Sequence, residues 1–254
     1  QIQIEKRLQQ NKVVLLLGAR RVGKTVLLKQ VMSNFSGKVL MLNGEDSDTL
    51  ALLANRSISN YQNLLNGIDL LLIDEAQNVP EIGKKLKLIV DEISNIKVIA
   101  SGSSSFDLLN LTGEPLVGRS HTLYLYPFSQ QELGTTENLL ETKQNLESRL
   151  IYGTYPEIIS LGVTDKKEYL NNIVNSYLLK DILTIDGIRN ASKMLDLLRL
   201  IAFQTGNLVA YDELGKQLGM SKNTVEKYLD LLSKVFVIYK LGAFSKNLRK
   251  EISK

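Results

Sequence analysis

The chain lacks several residue types on which common functional sites depend. Its 254 residues include no cysteine and a single histidine, His121. Without cysteine there is no disulfide framework, thiolate zinc site, iron–sulfur cluster or cysteine nucleophile. One histidine excludes a metal site built from several histidines, and a serine triad would depend on His121 alone.

Long hydrophobic runs are also missing. The densest runs, Val13–Leu17 and Leu70–Ile73, have the length of strands, far below the ~18 residues that span a bilayer. No secretory signal is visible in the sequence. The first residue is Gln1 and not methionine. The lack of cysteine fits a reducing compartment, so we expect a cytoplasmic protein that does not contact a membrane.

Short apolar runs alternate with helical patterns in the first half of the chain. This alternation predicts an α/β fold with a five-stranded parallel sheet and helices on both faces. The predicted helices are Lys24–Phe35, Thr49–Asn66 with a break near residue 58, Glu81–Ser94 and Ser104–Leu111. The predicted strands are Lys12–Leu17, Lys38–Leu42, Asp69–Ile73, Lys97–Ala100 and Thr122–Tyr126.

Pro127 ends the alternation, and helical periodicity follows. The predicted domains are therefore an α/β core over residues 1–127, a helical lid or linker region over residues 128–205, and a winged helix-turn-helix over residues 206–254. The helices predicted in the middle region are Gln130–Gly134, Glu137–Ile151, Lys166–Thr184 and Ser192–Thr205.

A glycine-rich loop follows the first predicted strand. Residues 18–25 match G-x-x-x-x-G-K-[ST], and an amphipathic helix comes next. The glycines let successive N–H groups face phosphate oxygens, and the following helix presents its positive end to the same anion. We expect Lys24 to reach the β- and γ-phosphates and Thr25 to bind magnesium. The predicted nucleotide-binding residues are Gly18, Ala19, Arg20, Arg21, Val22, Gly23, Lys24, Thr25 and Val26.

Two carboxylates, Asp74 and Glu75, end the third predicted strand. Ligands of parallel sheets bind outside the carboxyl ends of the strands, so we expect Asp74 near the metal held by Thr25. Glu75 would then polarise the attacking water as a general base. The alternative is a solvated acidic turn, which is common in α/β proteins, but the glycine-rich loop favours the site.

Three further polar residues, Ser101, Arg119 and His121, follow the fourth predicted strand. Ser101 is placed to bond the attacking water or the γ-phosphate, while the serines after it would also serve as a helix cap. Arg119 precedes the fifth strand, where an arginine would neutralise transition-state charge in cis or on a neighbouring subunit's nucleotide. The alternative is a surface arginine. His121 is expected to be structural.

The last fifth of the chain carries the whole net charge of +4. Helices over Tyr211–Leu218 and Lys222–Ser233, joined by a tight turn, have helix-turn-helix spacing, and Val235–Leu241 alternates as a wing strand would. One interpretation is binding of double-stranded DNA through the second helix and the basic tail. The other is a winged helix that packs on the core and relays nucleotide state. The residues expected to meet DNA are Ser221, Lys222, Asn223, Thr224, Lys227, Lys246, Asn247, Arg249 and Lys250.

In the order of these parts the chain resembles AAA+ ATPases, the broad clan that includes the STAND signalling ATPases. More closely, it resembles a group of bacterial and archaeal ATPases with a GxRRVGKT-like loop, a DEAQ box and a C-terminal winged helix. Members usually continue into a nuclease-like domain, and because this sequence stops at Lys254 we assign no nuclease function from the resemblance. The matching boxes are Gly18–Thr25, Asp74–Gln77, Ser101–Ser104, Leu116–Arg119, Pro127–Glu132 and Gly153–Glu157.

The resemblance implies magnesium-dependent binding and hydrolysis of ATP to ADP, with Glu75 activating water. It implies Ser101 as the residue that senses the γ-phosphate and Arg119 as an arginine finger, either in cis or across a homo-oligomer. It implies weakly that Tyr155 and Pro156 lie near the nucleotide base. Two alternatives remain open: a STAND-like nucleotide switch with negligible turnover, and a DNA-binding protein regulated by ATP. A small-molecule kinase also fits the loop, but the acid pair and the winged helix disfavour it.

Overall fold

A computed structural model of the chain describes residues 2–103, 116–178 and 191–242. The chain divides into two compact units, Gln1–Tyr177 and Leu178–Lys254, each considered by itself below. In the described parts, no helix has the length and hydropathy that a membrane crossing requires.

The first unit is built around five parallel strands. Their order across the sheet is β2-β3-β4-β1-β5, so β1 lies inside the sheet with β4 on one side and β5 on the other. The predicted five-stranded parallel sheet is therefore confirmed. The strands are β1 (Val13–Leu17), β2 (Val39–Asn43), β3 (Leu70–Asp74), β4 (Lys97–Gly102) and β5 (Ser120–Tyr124).

Both faces of the inner strands are covered. Every residue of β1 and β3 is buried, which is why their sequences are continuous apolar runs instead of alternating ones. On one face, Val14 and Leu16 pack in a cluster with Leu28 and Val31 of the following helix. Each fully buried Leu or Val contributes about 1.5–3 kcal/mol, so this core holds the strand ends in fixed positions.

Helices connect the strands of the first unit. Asp46 and Ser57 cap two of them, each accepting hydrogen bonds from backbone N–H groups of the first turn. The two capped helices replace the single interrupted helix predicted over Thr49–Asn66. The helices are α1 (Ile2–Arg7), α2 (Lys24–Asn34), α3 (Ser47–Ala54), α4 (Ile58–Leu64) and α5 (Ile82–Glu92).

Helices continue after the sheet. The predicted helix Lys166–Thr184 starts earlier, at Val163, and changes to π-helical geometry over Ile173–Leu178; residues 179–190 lie outside the described residues. Capping boxes built by Ser129 and Asn138 begin the first two helices. The helices are α6 (Gln130–Leu133), α7 (Leu139–Tyr152), α8 (Pro156–Ser160) and α9 (Val163–Asn172).

The described part of the second unit contains three helices, α10 (Ala191–Phe203), α11 (Tyr211–Leu218) and α12 (Lys222–Lys234). The bounds of α11 are those predicted, and a tight turn joins α11 to α12, which begins with Ser221 as its N-cap. The buried residues between the helices are Met194, Leu197, Leu214, Val225, Tyr228, Leu229, Leu231 and Leu232.

Two predicted strands differ from the structure. The fifth strand lies two residues earlier than Thr122–Tyr126, because its pairing with β1 begins at Ser120 and ends at Tyr124. The predicted wing strand Val235–Leu241 is absent from residues 235–242, which form a turn and then unpaired chain. The basic residues 246–250 and the predicted helix Ser104–Leu111 lie outside the described residues.

Candidate functional site

The glycine-rich loop joins β1 to α2 at the carboxyl edge of the sheet. A Cβ atom on Gly18 would lie 2.2 Å from the carbonyl oxygen of Leu125, so only glycine fits this close approach. Gly23 has open space around it but a φ of +98°, which other residues rarely adopt. Gly18 is thus required by the lack of space for a side chain, and Gly23 is required by its backbone conformation.

The N-terminus of α2 faces this loop without a capping side chain. Whereas Asp46 and Ser57 cap α3 and α4, the residue before α2 is Gly23, which has no side chain to offer. The first N–H groups of an α-helix have no partner within the helix, and the helix dipole makes this end positive. The start of α2 is therefore suited to an anion.

Lys24 places a positive charge inside the loop. Its side chain is 4% exposed, and its Nζ donates hydrogen bonds to the carbonyl oxygens of Gly18 (3.0 Å) and Ala19 (2.9 Å). A buried ammonium group is costly unless it is hydrogen-bonded, and these two carbonyls supply part of that compensation. The loop thus holds a cation at the place where the helix is also positive, a combination that favours a multiply charged anion.

Asp74 connects three elements at the carboxyl edge. The hydroxyl of Thr25 on α2 donates to its Oδ2 at 2.6 Å, and the hydroxyl of Ser101 on β4 donates to its Oδ1. Asp74 is 5% exposed and Ser101 is fully buried. A hydroxyl and a carboxylate in direct contact are the hard oxygen donors that magnesium prefers, so Thr25 and Asp74 fit that ion.

Glu75 stands at the end of β3 in an unusual backbone conformation. Its φ of +48° and ψ of +42° are left-handed, and its N–H donates to the Ser101 hydroxyl at 3.3 Å and to Asp74 Oδ1 at 3.2 Å. A left-handed conformation at a non-glycine residue is uncommon and is often associated with function. At this residue the chain leaves β3 and enters the 3₁₀ turn Ala76–Asn78.

The Glu75 carboxylate contacts an amide that the sequence reasoning left without a role. Gln77 Nε2 donates to Glu75 Oε2 at 2.6 Å and lies 3.2 Å from the Ser103 hydroxyl oxygen, to which it also donates. Gln77 belongs to a 3₁₀ turn, Ala76–Asn78, that directly follows the acid pair. In the sequence, the sign of this role is that a polar residue lies two positions after Glu75. The contact between Gln77 and Ser103, however, depends on the register between β3 and β4.

Ser101 contacts both acidic residues. Its hydroxyl hydrogen is donated to Asp74 and its oxygen accepts the Glu75 N–H. Donation from this hydroxyl to a γ-phosphate oxygen would require its hydrogen to leave Asp74. Ser101 thus orients the two acidic residues in this structure, and its contact with the γ-phosphate or the attacking water stays a prediction.

An ion pair joins the glycine-rich loop to the helices after the sheet. Arg21, with a φ of +62°, pairs through its guanidinium with Glu157 of α8 at 3.3 Å and lies 5.9 Å from the Tyr169 ring centroid. Burial, and then the Glu157 charge, raise the pKa of Tyr169 to about 12. The Arg21 side chain thus contacts α8 and α9, and its predicted contact with phosphate stays a prediction.

The structure separates Arg119 from the rest of the predicted site. Arg119 precedes β5 at the amino edge of the sheet, where its carbonyl accepts from Val13 and its Nε donates to Asp91 at 2.6 Å. The glycine-rich loop begins at the other end of β1, about 16 Å away for five residues of strand. Arg119 thus lies at the opposite edge of the sheet from the glycine-rich loop of its own chain, and its role as an arginine finger stays a prediction.

The other predicted residues lie as follows. Val26 is 60% exposed on the first turn of α2, and Arg20 lies partly buried in the loop itself. Tyr155 occupies the N-cap position of α8 without a capping hydrogen bond from its side chain, and burial raises the pKa of its hydroxyl above the usual value. His121 lies in β5 beside Val14, and its buried Nε2 has no hydrogen-bond partner among the described residues.

Two family models match the chain. Residues 10–134 match a family described as an AAA domain, and residues 143–254 match a domain of unknown function. The AAA match covers the sheet, the glycine-rich loop and the acid pair. It supports an AAA-type P-loop fold, and with it nucleotide binding, for that part of the chain.

The curated relatives are longer than this chain and uncharacterized. A protein of Mycobacterium tuberculosis is 27% identical over 241 residues, which cover 94% of this chain and 51% of the relative. A protein of Haemophilus influenzae is 25% identical over 249 residues, covering 88% of this chain and 60% of the relative. The chain thus spans about half to three-fifths of the length of these relatives.

A solved structure of a Thermotoga maritima RuvB variant is also similar. It has a TM-score of 0.38 and 15% identity, and the match covers 95% of this chain and 87% of that chain. A likeness at this level carries no conclusion about function.

Proposed function

We propose that the chain binds ATP with Mg²⁺ and hydrolyses it to ADP and phosphate. The observation that carries the proposal is the meeting of Thr25, Asp74 and Glu75 beside the buried Lys24. A cation, a pair of metal ligands and a carboxylate base are the parts that phosphoryl transfer to water needs. The AAA match over the same residues supports this assignment.

The loop would bind the phosphates by charge and by backbone donors. Lys24 exchanges the carbonyls of Gly18 and Ala19 for β- and γ-phosphate oxygens, which hold negative charge and so accept stronger hydrogen bonds. The N-terminus of α2 adds N–H donors aligned with the helix dipole. These interactions strengthen as charge shifts onto the phosphate oxygens in the transition state, so they accelerate the reaction as well as binding ATP.

Thr25 and Asp74 would hold Mg²⁺, which when bound neutralises charge on the β- and γ-phosphates. Glu75 would accept a proton from the attacking water, because its carboxylate follows β3 at the same edge of the sheet. The Ser101 hydroxyl contacts each acidic residue differently. It donates to the side chain of Asp74 and accepts from the backbone N–H of Glu75, so the Glu75 carboxylate takes no part in these bonds. Metal binding and water activation thus fall to adjacent but separately held side chains.

Magnesium removal tests the proposal. The wild-type chain is expected to release phosphate from ATP with Mg²⁺, to lose this activity in EDTA and to regain it on adding Mg²⁺. Thr25→Val removes one metal ligand but keeps the side-chain volume, so it should raise the Mg²⁺ concentration for half-maximal turnover by about tenfold or more. Colorimetric phosphate release against Mg²⁺ concentration measures both, and Thr164→Val on the exposed start of α9 is the matched control.

ATP binding without any turnover would instead identify a nucleotide switch, the alternative that the sequence also allows. Arg119 adds a second criterion, because its place at the amino edge of the sheet supports a role toward the nucleotide of a neighbouring copy. Its proposed role requires specific activity to rise with protein concentration as copies assemble. A constant specific activity from a demonstrated monomer would exclude that role and leave Arg119 as the partner of Asp91.

DNA binding by the second unit is a second candidate function. The start of α12 is a capped helix N-terminus after a tight turn, and Lys222, Asn223 and Lys227 are exposed there. This is the part of a helix-turn-helix that meets the major groove. Lys222 lies 3.7 Å from Asp212 of α11, so Lys227 is the clearer phosphate contact.

Salt dependence distinguishes DNA binding from a purely internal role of this unit. Binding of duplex DNA, measured by fluorescence anisotropy, should weaken with log[salt] by a slope of about −0.9 per phosphate contact. Lys227→Ala is expected to reduce the slope by about 1, whereas Lys234→Ala at the other end of α12 should leave it unchanged. A flat slope, or equal effects of the two variants, would argue against this candidate.

A further inference from the structure

Gln77 is the first polar residue after the acid pair, and two hydrogen bonds hold its side-chain amide in place. Its Nε2 is 2.6 Å from Glu75 Oε2 and 3.2 Å from Ser103 Oγ. The backbone of Gln77 lies in the 3₁₀ turn Ala76–Asn78, which Val79 closes by donating its N–H to the Ala76 carbonyl. Ser103 is 5% exposed and follows β4, the strand that pairs with β3.

The orientation of the amide follows from charge. The Glu75 carboxylate only accepts hydrogen bonds, so the NH₂ end of Gln77 must face it; the opposite orientation would place two acceptors together. With Nε2 placed there, Oε1 is buried and has no donor among the described residues. A buried acceptor without a donor is costly, whereas a hydrogen bond to a charged carboxylate is a strong one. The contact to Glu75 is thus the interaction that fixes this side chain.

We infer that Gln77 is a positioning residue that holds the Glu75 carboxylate toward the attacking water. This inference rests on the proposed ATPase function. Gln77 engages Oε2 of Glu75, which leaves Oε1 to accept the water proton. Because the Glu75 backbone is fixed by Ser101 and Asp74, the side-chain torsions are its remaining freedom, and the amide restricts them.

The same amide links the base to the end of β4. Ser103 receives the second hydrogen of Nε2, so the position of Gln77 depends on the strand that also carries Ser101. β4 lies between β1 and β3, next to both the glycine-rich loop and the acid pair. A shift of the carboxyl end of β4 would therefore move the Glu75 side chain through Gln77. It would also move the Glu75 backbone through Ser101.

The test replaces Gln77 by methionine, which keeps the length and volume of the side chain but removes the donor. We expect kcat for ATP to fall by about 10- to 100-fold, the loss of one hydrogen bond to a charged group, with KM and the ATP dissociation constant nearly unchanged. Gln77→Glu is expected to lose at least as much, because it adds a second acceptor facing Glu75. Gln144→Met, on the exposed surface of α7, is the matched control.

A double substitution separates positioning from a merely structural role. If Gln77 acts through Glu75, then Gln77→Met combined with Glu75→Gln should be no slower than Glu75→Gln alone. Additive losses, or a loss of ATP affinity and of the thermal midpoint along with kcat, would show a structural role and overturn the inference.

The proposed function can fail separately. Wild-type protein that binds ATP but does not turn it over would overturn both the ATPase proposal and this inference. Wild-type protein that is active, with Gln77→Met at full kcat, would overturn the inference alone and leave the ATPase proposal in place.

Discussion

Replacing Glu75 by glutamine is expected to slow ATP turnover by about 10²–10⁴-fold while ATP binding remains close to that of the wild type. Glutamine has the size of glutamate but cannot accept the proton of the attacking water. The phosphate contacts come from the loop and from α2, which the substitution does not touch. Phosphate release under single-turnover conditions and ATP affinity by calorimetry measure the two quantities separately.

The control for this variant is Glu92→Gln, which makes the same chemical change at the exposed end of α5. It should leave turnover unaltered. Should Glu75→Gln retain full turnover, Glu75 would not be the base. Should it lose ATP binding as well, the left-handed backbone at this position would have been disturbed, and the rate could not be assigned to proton transfer.

Lys24→Ala should weaken ATP binding by about 10- to 100-fold, the amount expected for losing hydrogen bonds to a charged partner. Turnover at saturating ATP should fall further, because the same ammonium group faces the charge that develops in the transition state. Lys24→Met, which keeps the apolar stem, should show the same loss and so assign it to the charge instead of to packing.

Lys29→Ala provides the matched comparison, since Lys29 is an exposed lysine on the same helix. It should bind ATP as the wild type does. Unchanged affinity in Lys24→Ala, with the thermal midpoint preserved, would remove the glycine-rich loop from the nucleotide site. A general loss of affinity in both variants would point to the net charge of α2 instead of a specific contact.

The parts of the site that sequence alone located are those set by local backbone requirements. Gly18 and Gly23 predict a loop. A close approach of the backbone excludes other residues at Gly18, and a positive φ disfavours them at Gly23. Asp74 and Glu75 follow a continuous apolar run, which predicts a buried strand and hence their place at its carboxyl end. The positive φ of Gly23 and the apolar run before Asp74 are local relations, whereas the close approach at Gly18 depends on Leu125, 107 residues further along the chain.

The parts that sequence reasoning missed depend on register between strands. Gln77 meets Ser103 only because β3 and β4 pair with Leu70 opposite Lys97. The contact of Arg21 with Glu157 joins residues 136 positions apart. No local pattern specifies either pairing, although the polar character of Gln77 next to the acid pair was a usable signal.

The absence of the predicted wing strand from the described residues and the placement of Arg119 have physical reasons as well. Alternating side chains over Val235–Leu241 satisfy the period of a strand, but a strand also needs a pairing partner, and the described residues supply none. Arg119 precedes a parallel strand, and residues before such a strand lie at the amino edge, opposite the glycine-rich loop. Its position in the sequence therefore already favoured a role toward another copy over a role in cis.

The central place of β1 has a consequence for the order in which the protein is made. β1 leaves the ribosome before every other strand, yet its two neighbours are β4 and β5, which begin 84 and 107 residues after Val13. At about 5–20 residues per second, the later of these neighbours follows β1 by roughly 5–20 s. The strand that leads into the glycine-rich loop is thus translated before both of its partners, and its apolar side chains can take part in aggregation until they arrive.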